Sequence, residues 1–314
     1  MKFNRFTGIW IFLAALLLTA CATATPTPTL EPTQTTAVPT LTDGLGRSVT
    51  LPAPAERVIS LSPSNTEILY AVGAGEALIA RDEFSNYPAE AAGLPSIGGS
   101  MSDYNLEEIV KLEPDLILAA EINTPELVKS LEDLGLTVYY LSNPTDLDGM
   151  YELLRQTATL VGTSEQTETL IASLQTRVTA VQEALATVKT QPKVFYELDG
   201  SDASAPWTSG PGTFMDTLIQ SAGGQNVASD LSSGWAQISQ EALLVANPDF
   251  IVLGDAAYGV TAEQVSARPG WGAIQAVKTG AIYPFNDDLV SRPGPRMVNG
   301  LEELAKIIHP EAFQ

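Results

Sequence analysis

The stretch from Ser164 to Lys189 constrains this chain most. Leu170, Leu174, Val178, Val181, Leu185 and Val188 recur at steps of three or four residues, which lays one apolar stripe along a helix. No Gly or Pro interrupts SEQTETLIASLQTRVTAVQEALATVK; Ser164 reads as its N-cap, and Pro192 closes the far end. At about 1.5 Å per residue, its 26 residues would reach roughly 39 Å. Two uses fit such a helix: an ordinary long core helix, or a rigid strut joining two lobes.

The sequence on either side favours the strut. Before it stands Asn105-Leu-Glu107-Glu-Ile-Val-Lys-Leu-Glu-Pro114-Asp-Leu-Ile-Leu-Ala, and after it Ser239-Gln-Glu241-Ala-Leu-Leu-Val-Ala-Asn-Pro248-Asp-Phe-Ile-Val-Leu. Each has a capping residue, a Glu two places on, a short apolar helix, Pro-Asp and a buried strand, with seven residues from Glu to Pro. A second pair echoes it: Ser64 to Glu67 and Thr213 to Asp216 both show a capping-box spacing and lead to Gly73 and Gly223. Such repeats imply two related lobes.

Strands are expected at 57–61, 77–80, 115–119 and 137–141, with helices near 66–72, 106–112, 124–134 and 146–161. After the strut the order restarts, with strands at 193–197, 250–254 and 281–284 and helices between and beyond them. Asp43 to Pro52 reads as a β-hairpin. Alternating strands and helices predict an α/β fold: two similar lobes with mostly parallel central sheets, joined by one long helix, with a ligand cleft between them.

Residues 1–20 read as a targeting segment: Lys2 and Arg5 supply the positive end, and the apolar run from Ile9 to Ala20 is short for a membrane span. Thr and Pro make up 13 of the 21 residues from 22 to 42, the composition of a disordered tether. The expected organisation is therefore a signal segment (1–20), a tether (21–42), an N-terminal lobe (43–162), a linking helix (163–191) and a C-terminal lobe (192–314). Without residues 1–20 the chain keeps 14 basic side chains against 37 acids, a balance of −23 that disfavours nucleic acid and anionic lipid as partners.

The loops after the expected strands are rich in rings: Phe84 and Tyr87, Tyr104, Trp207, Trp235 and Tyr258. Flat rings offer large contact area at small entropic cost, so as a set they read as a ligand-lining surface, although each alone also fits core packing. Trp271 reads as a structural plug. Arg292 reads either as a partner for an anionic ligand group or as a surface arginine paired with Asp287 or Asp288. Glu107 and Glu241 suit the first turn of a helix, and they occupy the same place in both repeats.

These motifs resemble the helical-backbone solute-binding lipoproteins of bacterial ABC importers, in the branch for cobalamin, ferric siderophores and haem. The resemblance runs from Asp43 to Phe313 and rests on GRSVTLPAPAERVISLSPSNTEILYAVGAG, NLEEIVKLEPDLIL, the strut, WAQISQEALLVANPDFIVL and RPGWGAIQAVKTGAIYPF. It implies cleavage before Cys21 and lipidation of its sulfur, since Leu18-Thr19-Ala20-Cys21 is similar to the lipoprotein signal. It implies an extracytoplasmic, lipid-anchored monomer with a permease as partner. Tyr87, Trp207 and Trp235 match ring positions around the corrinoid of cobalamin receptors, and Asp288 and Arg292 match a polar pair at the far loop. Glu107 and Glu241 match the acids that dock each lobe onto the permease. The chain departs from that pattern at Gly98-Gly99-Ser100, where a Trp is expected and Tyr104 follows instead, and at Ala120, where a ring is expected. A corrinoid is the first expectation for the ligand, and a ferric siderophore or haem the alternative.

Other classes fit less well. A zinc or manganese receptor needs several imidazoles, and His309 is the one histidine; no Asp-rich loop has calcium spacing. No nucleophile elbow or P-loop is present, so an enzyme is not expected. No cofactor and no metal site are expected. A scaffold or adhesive lipoprotein would differ from a receptor in having its cleft filled by side chains.

Overall fold

Alternation of side chains along two four-stranded parallel sheets builds the fold. The computed structural model describes residues 40–99 and 103–314; the expected signal segment, Cys21 and most of the expected tether lie outside the described residues. Strand β1 (Thr40–Thr42) pairs antiparallel with β2 (Ser48–Thr50), with Leu41 opposite Val49. Residues 40–42, assigned to the tether from composition, thus belong to the folded body. The Asp43 carboxylate closes the turn by accepting from the backbone N–H of Leu45 and Arg47.

The first lobe holds β3 (Val58–Ser60), β4 (Leu78–Arg81), β5 (Leu116–Ala120) and β6 (Val138–Leu141), in the spatial order β4-β3-β5-β6. Its helices are α1 (Pro63–Ala71), α2 (Leu106–Lys111), α3 (Pro125–Asp133) and α4 (Leu147–Val161). The linking helix is α5 (Ser164–Leu185). The second lobe holds β7 (Lys193–Glu197), β8 (Trp207–Ser209), β9 (Gln225–Asn226), β10 (Trp235–Gln237), β11 (Phe250–Leu253) and β12 (Ile282–Pro284). Four of them form the parallel sheet β12-β11-β7-β9, and β8 and β10 form a separate antiparallel pair. Its helices are α6 (Phe214–Ser221), α7 (Gln240–Ala246), α8 (Ala262–Ser266), α9 (Gln275–Thr279), α10 (Asp288–Ser291) and α11 (Met297–Ile308).

Helix α5 is shorter than its apolar stripe suggests, at 22 residues. Thr163, not Ser164, holds the N-cap position, without a side-chain cap bond. At the other end the Val188 N–H reaches back only to the Leu185 carbonyl, and β-branched Thr187 and Val188 leave the helix. Pro192 lies beyond this turn, where its carbonyl accepts from Gln225.

Because successive strand residues point to opposite faces, Leu116 and Leu118 join one core while Ile117 and Ala119 join another. The same alternation sends Val194, Tyr196 and Val252 inward to the first core, and Phe195, Ile251 and Leu253 to a third. The first core is continuous: it runs from Val58 and Leu118 through Leu174 and Val181 of α5 to Val194 and Leu301. Ion pairs support it from outside, with Arg155 of α4 on Glu168 and Arg177 of α5 held by Glu302 of α11 through two bonds of 2.8 and 2.7 Å. Trp271 is the expected plug: fully buried, edge-on to Phe195, with its indole N–H donating to Ala203. His309 is buried at the end of α11 with Nε2 on the Gly223 carbonyl, a helix-end role.

Candidate functional site

A helix of the first lobe and a connecting segment of the second, each following a parallel strand, meet between the lobes. Glu67 lies in α1, which follows β3, and Arg292 and Arg296 lie between β12 and α11. Arg296 grips Glu67 with both Nε and Nη2, and Arg292 adds a third bond from Nη1 at 3.1 Å. Glu67 is almost wholly buried, and the two arginine side chains are nearly so. Arg292 also donates to Asn86 at 2.7 Å and pairs with Asp288 at 2.9 Å. This network places one negative and two positive groups at the lobe junction, with Asp288 supplying the second negative charge.

The helix geometry explains why Glu67 is free for this. Ser62, rather than Ser64, caps α1 by accepting from Asn65 N–H, and Pro63 occupies the first turn. The spacing from Ser64 to Glu67 therefore marks no capping box, and the Glu67 carboxylate spans the lobes instead. In the second lobe Thr213 does cap α6, through the Asp216 N–H.

Tyr87, Asp288 and Arg292 are brought together by this network. The Arg296 guanidinium lies over the Tyr87 ring at 4.1 Å, a cation–π contact, and 47 % of Tyr87 remains exposed. Tyr87 also borders a cavity of about 440 Å³ shared by α1, α5 and the segment leading into α11. Arg81, a second basic residue near the cleft, is spent on the carbonyls of Asp82, Ala91 and Ala92.

Trp207 and Trp235 form a second group on the β8–β10 pair, where Trp207 faces Gln237 and Trp235 faces Ser209. Both rings are 43 % exposed. Trp235 is steadied by an edge contact with Phe214, centroids 5.8 Å apart, and Trp207 by backbone bonds with Leu198 and Asp199. Phe84, beyond β4, and Tyr258, beyond β11, are exposed, as is Ile122 after β5, which sequence reading missed because a lone Ile in a loop carries no pattern.

Tyr104 is a correction. It is 9 % exposed and packs into the core beneath β3 and β5, with its hydroxyl donating to the Leu61 carbonyl and accepting from Asn123. The small residues before it allow this, since a Cβ at Gly99 would collide with the Tyr104 ring. Burial pushes the Tyr104 phenol up to about 12. The ring therefore stabilises the lobe and offers no face to a ligand.

Glu107 and Glu241 are exposed in the first turns of α2 and α7, which Asn105 and Ser239 cap by the same local geometry. Among the described residues no group of three or more His, Cys, Asp or Glu side chains is placed to hold a metal.

Known proteins share this architecture. The sequence profile of the periplasmic binding protein family matches residues 58–289. An uncharacterized ABC transporter substrate-binding lipoprotein of Bacillus subtilis is 32 % identical, covering 98 % of both chains. A cobalamin-binding protein of Halobacterium salinarum is 29 % identical over 98 % of this chain and 86 % of its own. The solved apo form of a periplasmic heme-binding protein from Roseiflexus superposes with a TM-score of 0.73 at 27 % identity, covering 82 % of this chain and 99 % of that one. With these matches spanning both lobes and the helix between them, the chain belongs to the periplasmic binding protein family, a solute-binding family and not an enzyme class.

Proposed function

We propose that the solute is cobalamin or a related corrinoid. The protein is the substrate-binding component of an ABC transporter, with a permease as partner and a small molecule as ligand. One observation carries the choice of ligand. The guanidinium groups of Arg292 and Arg296 are already neutralised by Glu67 and Asp288, while two indole rings stand half exposed. Such a surface suits a large ring system without several negative charges, which gains by stacking rather than by ion pairing. The likeness to a protein named for cobalamin supports the same reading. In it, Trp207, Trp235 and Tyr87 contact the ring system, and Asp288 and Arg292 orient its polar groups.

Haem or a ferric siderophore is the second reading, favoured by the likeness to a heme-binding structure. Haem propionates and catecholate siderophores would meet no unpaired arginine in the Glu67 network.

Glu107 and Glu241 dock the two lobes onto the permease in this reading, which their exposure and matching positions support. A lipid on Cys21 holds the monomer outside the cell membrane, supported by the Leu18–Cys21 motif and by the relative named a lipoprotein. Incorporation of labelled palmitate that persists in Cys21→Ser would rule the anchor out.

Titration calorimetry of the purified protein with cobalamin, haem and a hydroxamate and a catecholate ferric siderophore tests the ligand. Tight one-to-one cobalamin binding is expected. Binding of haem or a siderophore with none of cobalamin would move the ligand to the second reading.

A further inference from the structure

Two apolar side chains at the strand ends of the first lobe stay outside its core. Phe84, beyond β4, is 53 % exposed, and Ile122, beyond β5, is 61 % exposed. Carboxyl ends of parallel strands are where open α/β sheets hold ligands. Tyr104 is turned into the core, and Ala120 at the end of β5 is buried. Phe84 and Ile122 therefore carry the exposed apolar surface of these two strand ends.

Both are held on pinned turns. Asn123, itself buried, clamps the turn that presents Ile122: its Oδ1 accepts from the Ala120 N–H at 2.7 Å, its own N–H donates to the Ala120 carbonyl at 2.8 Å, and its Nδ2 donates to the Tyr104 hydroxyl at 2.8 Å. On the other side of Ile122, Glu121 accepts from the Asn143 N–H at 2.8 Å. The Phe84 N–H donates to Asp82 at 2.8 Å, and Ser85 beside it links Asp82 to Thr66 of α1. Apolar groups held rigidly in water lose little freedom when a ligand covers them, and a β-branched Ile has few rotamers to lose.

Both turns also reach the lobe junction. Asn86, two residues after Phe84, accepts from Arg292 of the second lobe at 2.7 Å. The Ile122 turn rests on the Leu61 carbonyl through Asn123. Leu61 leads into α1, and Ser64 and Ile68 of that helix lie against Gly294 in the connecting segment of the second lobe. Strands β4 and β5 flank β3, so the two turns stand about 10 Å apart across the sheet. One macrocycle bridges such a separation, and a single small ring does not.

We propose that Phe84 and Ile122 form an apolar wall with which the first lobe covers the ring system of the ligand, while the indoles of Trp207 and Trp235 serve the second lobe. The inference deepens the corrinoid reading above and rests on it. Neither side chain carries a donor or an acceptor beyond its backbone, so the wall favours a ring system whose polar groups lie at its rim, as in a corrin.

The test titrates cyanocobalamin calorimetrically into wild type, Phe84→Ser, Ile122→Ser, Ile122→Leu and Leu134→Ser, with a thermal melt of each. Leu134 ends α3 at the opposite edge of the sheet and is also exposed, so it controls for the loss of any surface apolar group. Phe84→Ser and Ile122→Ser should each weaken binding about ten-fold, the effect of removing one apolar side chain that the ligand covers, with melting temperatures close to wild type. Ile122→Leu and Leu134→Ser should bind within about two-fold of wild type. Wild-type affinity in both cleft Ser variants, an equal loss in Leu134→Ser, or a loss matched by a large fall in melting temperature would overturn the wall while leaving cobalamin as ligand. A wild type that binds no cyanocobalamin would overturn the ligand reading and this inference with it.

Discussion

The Glu67 carboxylate and the Arg296 guanidinium meet across the two lobes as a two-bond pair, Nε to Oε2 at 2.7 Å, with Glu67 almost wholly out of solvent. Arg292 leans on the same carboxylate. Removing Glu67 therefore leaves two confined positive charges facing each other. Glu67→Leu should cost about 3–5 kcal/mol of stability, the usual penalty for orphaning a buried charge. The double variant Glu67→Leu with Arg296→Met should recover part of that loss. Urea midpoints read both, and a loss below about 1 kcal/mol for Glu67→Leu would show that the pair is not structural.

Trp235 should separate affinity from stability. Its ring is half exposed and leans on Phe214 by one edge contact, which supplies about 0.5–1.5 kcal/mol. Trp235→Ala should lower the melting temperature modestly but weaken cobalamin binding ten-fold or more. Unchanged binding would remove Trp235 from the site.

Tyr104 predicts the reverse. Tyr104→Phe deletes a hydroxyl that serves both Leu61 and Asn123, which should destabilise the protein by about 1–2 kcal/mol. Ligand affinity should stay within two-fold. A selective loss of affinity would return the residue to the cleft.

Stability should fall as pH rises from the mildly acid range toward neutrality. Burial raises the pKa of Asp82, Glu197 and Asp287 above the ordinary carboxyl value. A carboxyl raised in the folded state contributes stability below its unfolded pKa and loses it as pH climbs through the folded one. Asp43 and Glu302 are held below their ordinary values, Asp43 against its own burial by the Arg47 bonds and Glu302 by its bond to Arg177, so their contribution fades only on further acidification. Thermal melts between pH 4 and 8 should show the decline toward neutral pH, and Glu197→Gln should flatten it. A curve rising steadily to pH 8 would contradict this.

Docking and binding should come apart in Glu107→Lys with Glu241→Lys. Both side chains are exposed on α2 and α7, so calorimetric affinity for cobalamin should be unchanged while cellular uptake of labelled cobalamin stops. Uptake at the wild-type rate would sink the docking assignment.

Residues that act through local pattern were legible before the structure was known. The seven expected strands stand within a residue or two of their places because both faces of each sheet are covered, which writes long apolar runs into the sequence. β8 and β10 were not, since three residues carry no period. Glu67 escaped because its partners lie 225 and 229 positions away, and its local spacing imitates a capping box. The pairing of Arg292 with Asp288 is local and was visible as an alternative; its hold on Glu67 was not. A ring in a loop reads the same whether it turns out, as Trp207 does, or in, as Tyr104 does. The neighbouring glycines at 98 and 99 held the clue, as room for a ring.

The core that passes unbroken from Val58 through Leu174 and Val181 to Val194 leaves the two lobes little independence. A receptor made this way has a small vocabulary of shapes. Its permease cannot tell full from empty by a large swing of one lobe, so the message has to be written in the cargo and in the loops that touch it. For such a protein, loading is a change of surface more than a change of form.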